Sequence, residues 1–282
     1  MNILSIQSAV AYGHVGNSAA VLPLQRLGHD VWAVNTVSFS NHPAHGGFRG
    51  RVTPPTEVAE LIRGIEERGA FVRCDAVVSG YLGEAGTAEV VRDAVARVRA
   101  ANPRVLYCCD PVIGEAPTGA YVRPGVPEAI RDQLVPIADL VKPNPFELSY
   151  LARCPADSLA TTLDAADRLR CLGPRLVVAT GLPLADDPDR LDTLAVGVEG
   201  AWLARARRRL VPAHGSGDAF TALFLGVYLG ARDVAAALAH AVAALDVILV
   251  ETERQGSGDL ALVAAQDALA HPPDLSPVER VR

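Results

Sequence analysis

Short apolar runs alternate along the chain with longer segments in which apolar residues recur every three or four positions. The runs are almost continuously hydrophobic, which is typical of strands buried on both faces of a parallel sheet. They predict strands at residues 2–7, 31–37, 76–80, 104–110, 138–143 and 175–180. The longer segments predict helices at residues 16–27, 56–69, 86–101, 145–152 and 163–172. This alternation predicts an α/β fold with a mainly parallel sheet and helices on both faces.

The pattern changes in the last third of the chain. Residues 193–206 read as two strands around a Glu199-Gly200 turn, which predicts an antiparallel edge. Apolar helices are expected at residues 217–229, 231–250 and 258–270, and the Pro-rich tail at 271–282 is expected to be frayed. We see neither an internal repeat nor a linker, so we expect one domain over residues 1–282.

The composition excludes several classes of protein. The net charge is −6 and the pI about 5.6, and no basic block is long enough to bind nucleic acid. The first residues lack the basic region and cleavage site of a leader, and no apolar run looks long enough to cross a membrane. Five cysteines without a CxxC pair predict neither a zinc site nor a disulfide framework. We therefore expect a cytoplasmic protein that binds neither nucleic acids nor membranes.

Lysine occurs once, at Lys142, between Val141 and Pro143. A Walker A loop needs a Gly-Lys-Ser/Thr sequence to hold nucleotide phosphates, so no such loop exists in this chain. A nucleotide site would have to be built in another way.

Polar residues follow most of the predicted strands. In open α/β sheets, ligands bind beyond the carboxyl ends of the strands, so we expect these residues to converge on one edge. The candidates are Ser8, the segment 79–81 with Tyr81, Asp110, the segment "KPNPFE" at 142–147, and Thr180.

The sequence Gly215-Ser216-Gly217-Asp218 precedes a strongly apolar helix. Two glycines allow backbone N–H groups to point at one spot, and the helix N-terminus adds partial positive charge, which favours a phosphoryl group. Asp218 would then be placed to take a proton from a substrate hydroxyl. The alternative is that Ser216 caps the helix and Asp218 is an ordinary first-turn acid.

Asp110 and Glu147 are the other acids at strand ends, and together they could hold Mg²⁺ beside nucleotide phosphates, usually through water. Alternatively, Asn144 caps a helix and Glu147 completes a capping box. The Gly-rich segment "FSNHPAHGGFRG" at 39–50 is expected to be a mobile or substrate-facing loop, because a metal site at His42 and His45 would need further ligands.

Eight short motifs occur in an order that resembles the pyridoxal kinases of the ribokinase-like superfamily. They are "ILSIQS", "GHVGNSAA", "PLQRLG", "NTVSFSNH", "SGYLG", "CDPVIG", "KPNPFE" and "GSGDAFTALFL", and they extend over nearly the whole chain. The resemblance implies a ribokinase-like fold and ATP-dependent phosphorylation of the 5′-hydroxymethyl group of pyridoxal, and often of pyridoxine and pyridoxamine.

The resemblance also implies roles for individual residues. Asp218 would be the catalytic base, and Gly215, Ser216 and Gly217 would form the anion hole. The pyridine ring would lie near Ser8, Tyr81 and the loop containing Pro43 and Ala44. Asp110 and Glu147 would bind Mg²⁺–ATP, directly or through water. The remaining positions on the ATP side would be Lys142, Asn144, Thr180, Arg208, Arg209, Leu210 and Val211. A homodimer is implied, and a need for K⁺ is left open.

The sequence departs from the family pattern at two points. Pro43, Ala44 and His45 stand where relatives usually have Thr-Gly-Tyr or Thr-Gln-Tyr, which leaves the preferred vitamer open, and Lys142 replaces a common Thr or Ala. Two other functions therefore stay open: a hydroxymethylpyrimidine, sugar or nucleoside kinase of the same fold, and a vitamer-binding protein without turnover. A dinucleotide-binding protein is disfavoured because no GxGxxG sequence follows the first strand.

Overall fold

A computed structural model describes residues 1–184, 187–211 and 214–282. The strands in these residues are β1 (Asn2–Val10), β2 (Asp30–Phe39), β3 (Gly50–Val52), β4 (Cys74–Ser79), β5 (Leu106–Cys109), β6 (Gly114–Glu115), β7 (Gly119–Ala120), β8 (Leu140–Val141), β9 (Leu176–Leu182), β10 (Arg190–Gly197), β11 (Gly200–Arg207) and β12 (Val278–Arg280). The helices are α1 (Asn17–Arg26), α2 (Pro55–Glu67), α3 (Gly86–Ala101), α4 (Val126–Ala129), α5 (Pro145–Ala152), α6 (Leu159–Arg170), α7 (Ser216–Ala231), α8 (Val234–Gln255) and α9 (Gln266–Ala270).

Ten strands form one sheet in the order β12-β11-β10-β9-β8-β5-β4-β1-β2-β3, and β6 and β7 form a separate hairpin. The pairs within β9-β8-β5-β4-β1-β2 are all parallel. The expectation of a mainly parallel α/β sheet with an antiparallel edge is therefore confirmed. All six strands predicted in this part occur, and each overlaps its predicted range.

Alternate residues of the parallel strands enter two different cores. Leu4 and Tyr107 belong to the core under α2 and α3, whereas Ile3, Leu106 and Cys108 belong to the core under α1, α7 and α8. Because side chains point to opposite faces with a period of two, a strand covered on both faces must be apolar at every position. This explains the continuous apolar runs in the sequence.

The antiparallel edge is larger than the predicted hairpin. β10 and β11 pair as expected, with Gly197 opposite Gly200, but β12 pairs with the far side of β11. The expectation of a frayed tail over 271–282 is wrong for Val278–Arg280, because β11 would otherwise leave its backbone groups unpaired at the sheet edge. At the opposite edge, β3 pairs antiparallel with β2, a strand that the loop prediction for 39–50 did not include.

The predicted helix over 258–270 is wrong except at its end, where α9 covers Gln266–Ala270. Gly256 ends α8 in the left-handed conformation, with φ 59°. The chain then passes close to α8, where the Ala261 N–H donates to Thr252 Oγ1 at 3.0 Å. The apolar residues that suggested a helix, Leu260 and Leu262, are buried in a non-helical segment.

Helix α8 is long and apolar enough to cross a membrane by length and composition, so the expectation that no run reaches this length is wrong. Its most apolar window is 44% buried inside the protein, where it packs against α7 and the sheet. The buried residues of α8 thus belong to the core of the protein.

Candidate active site

Asp218 lies in the first turn of α7, at the carboxyl edge of the sheet. Its Oδ2 accepts a hydrogen bond of 2.8 Å from the Gly16 N–H. Burial, and after it the charge of Asp110, raise the pKa of Asp218 from 3.8 to about 6, although the Gly16 N–H and Lys142 act in the opposite direction. A carboxyl group with this pKa is largely ionised at neutral pH and is still basic enough to accept a proton.

The residues before Asp218 form a glycine cradle, Gly215–Gly217. The helix N-cap is Gly215, in the left-handed conformation with φ 86°, and Ser216 is the first helical residue. The alternative in which the Ser216 side chain caps the helix is therefore wrong. A Cβ at Gly215 would overlap the carbonyl oxygen of His14, so this position requires glycine. The first N–H groups of α7 have no acceptor within the helix, which suits them to bind an anion.

Gly16 was not among the predicted site residues, yet its N–H holds the Asp218 carboxylate. Its backbone has φ 54° and ψ −131°, and a Cβ there would overlap the carbonyl and hydroxyl of buried Ser8. Only glycine fits this conformation and this close approach. The available signal was the glycine that precedes α1 in "GHVGNSAA". Ser8 thus supports the loop that holds Asp218.

Asp110 and Lys142 form a buried ion pair at neighbouring strand ends. Lys142 Nζ lies 2.9 Å from Asp110 Oδ2, and the two side chains are 6% and 2% exposed. Burial alone would lower the pKa of Lys142, but the charges of Asp110, Glu147 and Asp218 outweigh burial and raise it. Thr221 on α7, which the sequence analysis missed, also donates to Asp110 Oδ2 at 2.7 Å. Asp110 Oδ1 is buried and has no hydrogen-bond partner among the described residues.

Asn144 and Glu147 form the capping box that the sequence offered as an alternative. Asn144 Oδ1 accepts from the Glu147 N–H at 2.9 Å, and Glu147 Oε2 accepts from the Asn144 N–H at 2.9 Å. Glu147 Oε1 also accepts from the Ile113 N–H at 2.9 Å. Burial raises the pKa of Glu147 to about 8, and the charge of Asp110 acts in the same direction. Both carboxylate oxygens are therefore already engaged by backbone N–H groups.

Backbone hydrogen bonds join the strand ends into one continuous edge. The Gly80 N–H donates to Ile6, the Asp110 N–H to Ser79, the Lys142 N–H to Cys109, and the Thr180 N–H to Pro143, at 2.8–3.1 Å. Each loop is thus fixed to the strand beside it. The structure brings Asp110, Lys142, Asn144, Glu147 and Thr180 together at this edge, as expected for parallel strands.

The predicted ring-binding residues lie on two other segments. Tyr81 follows β4 and is half-buried, and its carbonyl accepts from Thr36 Oγ1 at 2.5 Å. Pro43 and Ala44 lie in an exposed 3₁₀ turn that the His42 side chain caps by accepting from the Ala44 N–H at 3.3 Å. This turn belongs to the segment 39–50, beside the glycine cradle.

Three histidines connect the segment 39–50 to the cradle. The His42 ring stacks on that of His214, with centroids 4.3 Å apart, and His214 directly precedes Gly215. His45 Nε2 lies 3.7 Å from Asp259 Oδ1. Burial, and after it the charges of His214 and His45, lower the pKa of His42 to about 4. In residues 1–184, 187–211 and 214–282, no group of three or more His, Cys, Asp or Glu side chains is arranged to hold a metal ion by itself.

Among the predicted nucleotide-side residues after β11, Arg209 forms an ion pair within the protein. Its guanidinium donates to both oxygens of Asp246 on α8, at 2.9 and 3.0 Å. The Arg208 N–H donates to the Asp189 carbonyl at 2.6 Å, and Leu210 is 87% exposed. Val211 is partly buried. Arg209 therefore braces this segment against α8, and Leu210 presents an apolar surface.

Comparisons with known proteins show the family to which the chain belongs. The family model described as phosphomethylpyrimidine kinase matches residues 44–262. The pyridoxal kinase of Rubrobacter xylanophilus is 50% identical over 283 residues, which cover 100% of this chain and 98% of that protein. The pyridoxal kinase of Deinococcus radiodurans is 48% identical over 287 residues, covering 99% of this chain and 96% of that protein.

A solved structure shows the same arrangement of elements. The pyridoxal kinase from Leishmania donovani, in complex with ADP and pyridoxine, superposes with a TM-score of 0.92 at 30% identity, covering 100% of this chain and 99% of that one. The sheet order and flanking helices are thus those of the ribokinase-like fold. The chain belongs to the phosphomethylpyrimidine kinase family and, within it, to the pyridoxal kinases.

Proposed function

We propose that this protein phosphorylates the 5′-hydroxymethyl group of pyridoxal with ATP, yielding pyridoxal 5′-phosphate and ADP. The observation that carries the proposal is the position of Asp218, in the first turn of α7 beside the glycine cradle and fixed by the Gly16 N–H at 2.8 Å. The curated relatives named pyridoxal kinase and the Leishmania donovani complex with ADP and pyridoxine support the choice of substrate.

The geometry suits general-base catalysis at a hydroxyl group. Asp218 takes the proton of the substrate hydroxymethyl group. The hydroxymethyl oxygen forms a bond to the γ-phosphorus of ATP, and the bond from that phosphorus to the ADP oxygen breaks. The N–H groups of Gly215–Gly217 stabilise the charge on the transferred phosphoryl oxygens. Because these donors are fixed in the backbone, they need no reorganisation during the reaction.

The acidic residues fit a magnesium ion that arrives with the nucleotide. Asp110 Oδ1 is a buried acceptor without a partner in the described part of the chain, so it is available for the ion or its water. Glu147 already accepts two backbone N–H groups, so it would act through a water molecule. Asp110, and Glu147 through water, would hold the Mg²⁺, which would supply positive charge against that of the phosphates.

We assign the remaining residues by their positions at the carboxyl edge. Ser8, Tyr81, Pro43 and Ala44 would surround the pyridine ring. The nucleotide side would comprise Lys142, Asn144, Thr180, Arg208, Leu210 and Val211, with Arg209 acting through its ion pair with Asp246. We further propose that the chain works as one domain, as a homodimer, in the cytoplasm.

A vitamer panel tests this function. Purified protein is incubated with ATP, MgCl₂ and pyridoxal, pyridoxine or pyridoxamine, and both ADP release and the absorbance of pyridoxal 5′-phosphate are measured. We expect turnover with pyridoxal and its loss in Asp218→Asn, which serves as the matched control. Hydroxymethylpyrimidine is included because the family model carries the name of a pyrimidine kinase. Phosphorylation of that compound alone would overturn the proposal, as would vitamer binding without ADP release.

A further inference from the structure

We propose that the Lys142 ammonium is a built-in monovalent cation of the phosphoryl-transfer site. It ion-pairs with Asp110 and directs its remaining N–H donors to the phosphate entering Gly215–Gly217, so that catalysis needs no free K⁺. This inference rests on the proposed function, because it concerns the same site.

The position of the ammonium is fixed by its contacts. Nζ lies 2.9 Å from Asp110 Oδ2 in a side chain that is only 6% exposed. A Cβ built on Gly217 would lie 3.0 Å from the same nitrogen. The ammonium therefore lies directly against the first turn of α7, where the cradle N–H groups would meet a phosphate. Because Gly217 has no side chain, no Cβ at this position separates the ammonium from the backbone of the turn.

The described residues do not use all the hydrogen-bonding capacity of the ammonium. A lysine has three N–H donors, and Asp110 is its one ion-pair partner among the described residues. Asp110 Oδ2 is shared with Thr221, which holds the carboxylate in place. A buried ammonium with free donors is costly unless an anion satisfies them. A phosphate in the adjacent cradle would supply the missing acceptors.

The charges around the site require cations. Asp110, Glu147 and Asp218 are three acids within electrostatic range of Lys142, and an incoming triphosphate adds further negative charge. An ammonium group and K⁺ carry the same charge and are similar in size. A free cation bound to Asp110 Oδ2 would have to occupy the space where Nζ already lies. The tethered group also avoids the entropic cost of capturing an ion from solution.

Two substitutions of Lys142 distinguish a role of its charge from a role in packing alone. Lys142→Ala removes the charge and leaves room for an ion, whereas Lys142→Met removes the charge but fills the space. ADP release is measured in buffers of K⁺, NH₄⁺ or tetramethylammonium, with pyridoxal as acceptor. Arg99→Met is the control, since Arg99 pairs with Asp139 ahead of β8, at the opposite edge of the sheet.

We expect the wild-type rate to agree within about twofold in all three buffers. Both Lys142 variants should lose about 10²-fold or more in tetramethylammonium, as when one fixed donor to a developing charge is removed. K⁺ or NH₄⁺ should restore at least tenfold to Lys142→Ala and nothing to Lys142→Met. Melting curves with and without ADP confirm that each variant is folded.

Several results would overturn the proposal. The wild-type rate could fall more than tenfold without K⁺. The Lys142 variants could keep their activity, or a folded Lys142→Ala could regain none with any cation. If the wild type phosphorylates no vitamer, Mg²⁺–ATP affinity measured by titration calorimetry replaces the rate. Affinity that is independent of K⁺ in the wild type and dependent on it in Lys142→Ala would then support the cation role, even though the proposed substrate had failed.

Discussion

Replacing Asp218 by asparagine should make the protein more stable as well as inactive. The carboxyl pKa is raised from 3.8 to about 6 in the folded protein, chiefly by burial. The folded state thus binds the proton more tightly than the unfolded state, so stability falls as pH rises from the unfolded pKa through about 6. The neutral amide removes this cost and can still accept from the Gly16 N–H.

The magnitude follows from the size of the shift. Roughly two pKa units at about 1.4 kcal/mol each give about 3 kcal/mol as an upper bound. Solvent still reaches part of this side chain, so we expect a gain of about 1–3 kcal/mol at pH 8. The gain should shrink towards zero below about pH 4, as the carboxyl becomes protonated in both states. The value of kcat should fall by about 10²–10⁴, the usual range for a lost general base.

Urea unfolding of both proteins at pH 8 and at the lowest pH where the wild type stays folded measures the difference. Asp167→Asn is the matched control, because hydrogen bonds from Arg282 lower the pKa of Asp167. That variant should lose stability at pH 8 instead of gaining it. A lower stability of Asp218→Asn at pH 8, or a gain that is the same at both pH values, would refute the reasoning.

Three further predictions concern the same site. The kcat/KM for pyridoxal should decline below about pH 6 as Asp218 takes up a proton, and a profile that is flat from pH 5 to 8 would exclude it as the base. Gly16→Ala should lower kcat by at least about 10²-fold, because its Cβ overlaps Ser8 and displaces the donor to the base, whereas Gly64→Ala, with open space around it, should leave kcat unchanged. Thr221→Val should lower the free energy of unfolding by about 1–3 kcal/mol, because Asp110 Oδ2 loses a buried hydrogen-bond donor, and an unchanged urea midpoint would contradict this.

Most strands and helices of the fold could be predicted from the sequence, because local patterns of apolar residues determine them. A strand covered on both faces must be apolar throughout, and that requirement is visible in runs such as "RVLYCCD". The helix predicted at 258–270 failed because an apolar segment can be buried without being helical, and only the contact of Ala261 with Thr252 decides between the two. The strand at 278–280 was missed for a related reason, since it depends on the free edge of β11.

For the site, the sequence indicated which strand ends would meet but not how the side chains pair. Asp110 and Glu147 were expected at one edge, and the structure places them there. Several side chains of the site contact partners that are distant in sequence. Asp218 is bound by Gly16, Asp110 by Thr221, and the His42 ring stacks on His214. Such contacts depend on how helices dock over the sheet, and a local signal such as the glycine in "GHVGNSAA" does not identify the partner.

The hydrogen bond from Gly16 to Asp218 joins positions 202 residues apart. On a growing polypeptide, β1 and its neighbours exist long before α7 is synthesised, and a contact of such sequence separation forms late. A shortened or partly unfolded chain can therefore contain the whole parallel sheet and still lack the hydrogen bond that positions Asp218, the proposed base. Catalytic activity in this protein should therefore require that both ends of the chain are folded. Activity should be lost whenever α1 and α7 separate.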